Sequence, residues 1–154
     1  MHILITGASS GIGRALASEL AAQGHTVWGV ARRRHLLEDL AEQLGVSAFR
    51  WSVADVLDPA SVDAAVGQMR AAGFVPDAVV LNAGAFEEDL EPEYRYATVQ
   101  RVLTTNVDGA LIWVDRFLPE FRQRKTGQFV AISSVSAYRP DTTNEVPCSA
   151  VDPY

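Results

Sequence analysis

His2-Ile3-Leu4-Ile5-Thr6-Gly7-Ala8-Ser9-Ser10-Gly11-Ile12-Gly13 is the stretch from which the rest of the chain can be read. The run from His2 to Thr6 is too short for a helix, partly β-branched, and stopped at Gly7, so it predicts a buried strand. From about residue 11 to 23, Ile12, Leu16 and Leu20 recur at helical spacing, and Gly24 stands where a helix would close. The glycine-rich turn between them lets backbone N–H groups approach an anion. The following helix aims its positive dipole end at the same point, and Ser9 and Ser10 add hydroxyls. The spacing is GxxxGxG rather than the GxGxxG of the standard dinucleotide fingerprint. Alone it also fits a plain glycine turn with a helix cap. Its position between a strand and a helix favours the phosphate-cradling reading.

Working outward, strands and helices alternate. Val27 to Ala31 predicts a second strand, and Leu36, Leu37, Leu40 and Leu44 mark a helix ending at Gly45. Ala48 to Val53 predicts a third strand. Asp58-Pro59 opens the next helix, with aspartate as cap and proline in the first turn; Val62, Val66 and Met69 line it, and it ends near Gly73. Asp77 to Asn82 predicts a fourth strand, followed by an acidic loop with Glu87, Glu88, Asp89 and Glu91. One long helix is expected from about Tyr94 to Arg124. Its interior Gly109 costs about 1 kcal/mol against alanine and so implies close packing or a functional reason. Gln128 to Ser133 predicts a fifth strand, and the aperiodic remainder reads as loop. This alternation implies βαβ units and a parallel sheet with right-handed crossovers. In such sheets ligands bind outside the carboxyl ends of the strands, so the loops there are the candidate site.

Composition narrows the choice. The chain has 154 residues, 48% hydrophobic and 21% charged, which suits one globular domain spanning 1–154. With 13 Lys+Arg against 19 Asp+Glu the net charge is −6, which lacks the basic footprint of a nucleic-acid binder. Cys148 is the single cysteine, so neither an intrachain disulfide nor a cysteine-built metal site is available, and no metal is expected. Apolar runs such as 110–114 are far too short to span a bilayer, and the N-terminus lacks the pattern of a secretory leader. The expectation is a cytoplasmic protein with no membrane or nucleic-acid partner.

The octet Thr6 to Gly13, TGASSGIG, resembles the nucleotide-binding turn of the short-chain dehydrogenase/reductase family. Four further segments match that family in order: Asp55-Val56 after strand three, Asn82-Ala83-Gly84 after strand four, Asn106 within Thr105-Asn106-Val107-Asp108-Gly109, and Ile132-Ser133-Ser134 after strand five. Any one of them has an ordinary explanation: a capping aspartate, a strand-ending turn, a helix asparagine bonded to a nearby carbonyl, serines satisfying a strand end. Five in order make a specific signal. The resemblance implies an incomplete doubly wound, Rossmann-like α/β sheet of about five strands in the order 3-2-1-4-5. It implies coenzyme binding by Gly7, Ser9, Ser10, Gly11, Ile12 and Gly13, by Asp55 and Val56 at the adenine, and by Asn82, Ala83 and Gly84. It also implies hydride transfer between a nicotinamide coenzyme and a small carbonyl or alcohol substrate, with Ser134 orienting the reacting oxygen and Asn106 supporting a proton path.

Coenzyme choice is read from the end of strand two. An acidic residue there bonds the ribose 2′-hydroxyl of NAD, whereas arginine accommodates the 2′-phosphate of NADP. Here Ala31 is followed by Arg32-Arg33-Arg34, and no acid occurs before Glu38. NADP is therefore expected, NAD being the second choice, with Arg32 as first contact and Arg33 as second. The alternative is a solvated basic start to the next helix.

The family's YxxxK motif is absent. The one lysine, Lys125, precedes Ser134, and Tyr138 is too close to it. Either Tyr154 is the catalytic tyrosine after a long loop, or Cys148-Ser149-Ala150 stands where that helix usually begins and the site is lost. The chain resembles the N-terminal portion of a longer reductase, a homo-oligomer at full length, and weak or no turnover is expected of it alone. Alone, it would leave exposed the face of strand five and the side of the long helix bearing Leu111, Val114 and Leu118. A non-catalytic dinucleotide-binding module and an extended-type epimerase or dehydratase are the competing readings.

Overall fold

The computed structural model describes residues 1–86 and 96–134. Five parallel strands form one sheet in the order β3-β2-β1-β4-β5. They are β1 (His2–Thr6), β2 (Thr26–Ala31), β3 (Phe49–Val53), β4 (Ala78–Leu81) and β5 (Gln128–Ala131). The connecting helices are α1 (Gly11–Ala22), α2 (Arg34–Leu44), α3 (Pro59–Ala71), α4 (Tyr96–Leu103) and α5 (Gly109–Arg124). The expected strand order and alternation are those observed.

Alternation along the strands sends side chains to opposite faces. Leu4, Trp28 and Val79 join Val62, Val66 and Met69 of α3 and Trp113, Phe117 and Phe121 of α5 in one buried layer. Ile3, Ile5, Val27, Phe49 and Val80 join Ala17 of α1 and Leu37 and Leu40 of α2 in the other. β1 is thus covered on both faces, which is why His2 to Thr6 reads as an apolar run rather than an alternating one. Register follows from this burial: Leu4 lies beside Trp28 and Val79, Ile5 beside Gly29 and Val80.

Helix ends follow local chemistry. Asp58 caps α3 by accepting from the Ala60 N–H at 3.0 Å, ahead of Pro59 in the first turn. Gly24 and Gly45, at φ +82° and +80°, follow α1 and α2.

The helical run expected from about Tyr94 to Arg124 is observed from Tyr96 onward, with one irregularity inside it. A π-helical turn, Thr104–Asp108, lies between α4 and α5. Periodicity cannot distinguish it, because the apolar spacing continues through the inserted turn. Gly109 opens α5 under tight packing: a Cβ there would lie 2.8 Å from Val56 Cγ2, so the absence of a side chain lets α5 reach the β3–α3 loop. Of the α5 side expected to be bare, Leu111 is exposed while Val114 and Leu118 are half-buried. In β5, Gln128 and Ala131 are exposed and Phe129 and Val130 half-buried. Among the described residues no helix is long and apolar enough to cross a membrane.

Candidate functional site

The β1–α1 turn is held by the neighbouring strand end. Thr6 Oγ1 accepts from the N–H groups of Asn82 and Ala83, both at 3.0 Å, and donates to Val80 O at 3.3 Å. The Asn82 amide reaches back to donate to Thr6 O at 3.0 Å and Gly7 O at 3.4 Å. These bonds explain why glycine is needed at the inner positions. A Cβ on Gly13 would lie 2.4 Å from both Asn82 Nδ2 and Gly7 O, a backbone atom that cannot step aside. Gly11 differs. It has φ +54° and open space where a side chain would stand, so backbone conformation there is the constraint.

The N-terminus of α1 suits an anion. Ser10 is the cap residue in extended conformation, but no side chain caps the helix and its first turn carries no acid. The first N–H groups of a helix have no intrahelical partner, and the dipole adds positive potential there. In front of it opens a cavity of about 540 Å³. Gly7, Ser9, Ser10, Gly11, Ile12, Arg32, Arg33, Asp55, Val56, Asn82, Ala83 and Gly84 all line it; Gly13 lies behind the turn, packed as described. Segments from four strand ends therefore meet at one cleft. A helix terminus without a side-chain cap, open space at Gly11 and a basic rim are features that suit a phosphate group.

The two arginines differ. Arg33 Nη2 donates to Ser9 Oγ at 3.0 Å and Ser10 Oγ at 2.6 Å, which draws the guanidinium onto the glycine turn. Arg32 is largely exposed and faces Asp55 at 3.9 Å. Asp55 also accepts from the Leu57 N–H at 3.0 Å, while its own N–H donates to Ser61 Oγ at 3.1 Å. It is both a turn-forming aspartate and a cavity wall.

A second cavity, of about 200 Å³, adjoins the first and brings together Asn106 and Ser134. Asn106 lies in the π turn, and its amide clamps the backbone of Ala85 from both sides. Oδ1 accepts from Ala85 N at 2.7 Å and Nδ2 donates to Ala85 O at 3.2 Å. The bond to a nearby helix carbonyl weighed for this residue is not the one made; its partner is 21 positions away. A Cβ on Gly84 would lie 3.2 Å from Asn106 Oδ1, so the small residue admits the clamp. Tyr154, Tyr138 and Cys148 lie outside the described residues.

Leu57, Phe86 and Thr105 also line the larger cavity and were not anticipated. Leu57 and Thr105 adjoin motif residues and could have been added by adjacency. Phe86 carried no periodic signal, being a lone aromatic just beyond the turn after β4. Outside the cleft, Arg116 pairs with both Asp63 and Asp115, and the bond to Asp63 joins α3 to α5. The Arg116 hydrogen bond holds the Asp63 carboxyl below the usual carboxylate range and raises Arg116 in turn.

Residues 1–149 match the family model for short chain dehydrogenase. The chain belongs to the short-chain dehydrogenase/reductase family. It is 38% identical over 134 residues to an NADPH-dependent pterin aldehyde reductase of Arabidopsis thaliana, covering 86% of this chain and 55% of that protein. The closed form of serine dehydrogenase complexed with NADP+ superposes with a TM-score of 0.85 at 26% identity, covering 94% of this chain and 58% of the other. A 3-ketoacyl-(acyl-carrier-protein) reductase from Brucella melitensis complexed with NADH gives 0.85 at 28% identity, with 97% and 62% covered. The chain spans about half the length of the curated relatives it matches.

Proposed function

We propose that the protein is an NADP-dependent oxidoreductase that moves hydride between the coenzyme and a small carbonyl or alcohol substrate. The observation that carries this reading is the Arg33 guanidinium, held on the Ser9 and Ser10 hydroxyls beside an uncapped helix N-terminus. A guanidinium presents a planar fork that matches a phosphate, and no carboxylate follows the end of β2 before Glu38, which does not line the cleft. Arg33 is given the leading contact with the 2′-phosphate and Arg32 the supporting one, because Arg32 is shared with Asp55. The pterin aldehyde reductase and the NADP+ complex agree with NADP; the NADH complex makes a direct test necessary.

The hydride chemistry belongs to the nicotinamide when it is bound. The α1 terminus would hold the pyrophosphate, and Asp55 and Val56 would bound the adenine. Ser134 would hydrogen-bond the reacting oxygen, and Asn106 keeps the wall opposite it in place through Ala85. Tyr154 is the proposed proton-exchanging group.

Titration calorimetry with NADPH and NADH tests this. One charge-assisted contact contributes about 1.5–3 kcal/mol, so wild type should prefer NADPH by roughly ten- to a hundredfold. Arg33→Ala should erase most of that preference and leave NADH unchanged. Equal affinities in wild type would refute NADP selection, and absence of heat from both coenzymes would refute the coenzyme reading itself.

A further inference from the structure

We propose that Phe86 is a specificity-determining residue that forms a shared wall between coenzyme and substrate and selects neutral, apolar carbonyl or alcohol compounds. The inference rests on the coenzyme reading above. Asn82, Ala83, Gly84 and Phe86 line both cavities, and of these four Phe86 alone carries a large apolar side chain. Phe86 is 51% exposed. An aromatic ring on a concave wall gains by being covered, and the covering group must itself be apolar on that side. Asn106 clamps both polar backbone groups of Ala85, the preceding residue, which ties the backbone leading into Phe86 to the π turn. Across the smaller cavity Ile132 offers a second exposed apolar group. Among the described residues lining that cavity none has an ionisable side chain, so an apolar ligand entering it covers no charge that would have to be desolvated.

The test uses wild type, Phe86→Ala and Phe86→Leu of this chain, saturated with NADP+. Ligand-observed saturation-transfer NMR compares benzyl alcohol, a neutral apolar probe, with lactate, an anionic alcohol. Wild type should transfer saturation to benzyl alcohol and little to lactate. Phe86→Ala should weaken the benzyl alcohol signal by about three- to tenfold, the scale of one aromatic contact, and Phe86→Leu should restore part of it. Affinity for adenosine 2′,5′-bisphosphate, which carries only the adenosine half, should be the same in all three and reports that each is folded. A benzyl alcohol signal unchanged in Phe86→Ala, or a lactate signal equal to it in wild type, overturns the proposal. If wild type binds NADP+ but neither alcohol, the Phe86 assignment fails and the coenzyme reading stands. If wild type binds no NADP+, both fall.

Discussion

The two sides of the cleft are built differently. On the β1–β2–β3 side, each wall residue lies within a few positions of a strand end: Gly7 to Ile12 after β1, Arg32 and Arg33 after β2, Asp55 and Val56 after β3. On the β4–β5 side the smaller cavity depends on one long-range contact, Asn106 to Ala85, made from a π turn inside a helical run. The first side is a consequence of local sequence at the end of a parallel sheet. The second exists only because α4, the π turn and α5 pack back against the chain after β4. Such inserted turns occur often at functional sites.

The largest effect expected from breaking this contrast is at Gly13. Gly13→Val drives a branched side chain into Asn82 Nδ2 and Gly7 O. Thermal unfolding should show a loss of about 3 kcal/mol, the upper end of the usual cost of overpacking, and calorimetry should detect no NADPH binding. Retained binding would mean that the turn is not the rigid cradle described.

Asn106→Ala should do less. It removes two hydrogen bonds and leaves a part-buried Ala85 N–H without its acceptor, a cost of about 1–3 kcal/mol in chemical denaturation. Adenosine 2′,5′-bisphosphate should bind unchanged, because its expected contacts lie on the other side. Weakened binding would show that the two sides are coupled and would blur the comparison.

The smallest effect expected is at the solvent-exposed Asp63–Arg116 pair, remote from both cavities. Because Asp63 titrates below its unfolded value, its contribution is present above the ordinary carboxylate pKa of about 3.9 and is lost as pH falls through the lowered folded value. Asp63→Asn should therefore lower the melting temperature slightly at neutral pH, with the difference closing in strong acid. A difference that persists in acid would show that the residue acts through packing rather than charge.

Legibility in the sequence followed the same division. Strand positions, the Asp58-Pro59 helix start and the glycine turn were accessible because period, caps and turns are local signals; the strand order and the remaining cleft residues came from the family resemblance. The role of Gly109 was half readable: an interior helix glycine implied close approach, but only the packing identifies Val56 as its neighbour. The π turn at Thr104–Asp108 carries no local signal, and the Asn106 clamp beside Phe86 depends on chain segments 21 positions apart coming together.

What the sequence alone determined was a parallel sheet with a glycine-rich bend at its first crossover, because burial on both faces and backbone freedom at glycine are properties of short stretches. What tertiary structure alone decided was which polar groups face each other across the cleft. Arg33 lies on the serines and Arg32 on Asp55, and Asn106 holds Ala85. Hydrogen bonds between distant segments depend on angles and distances that no local pattern of residues encodes.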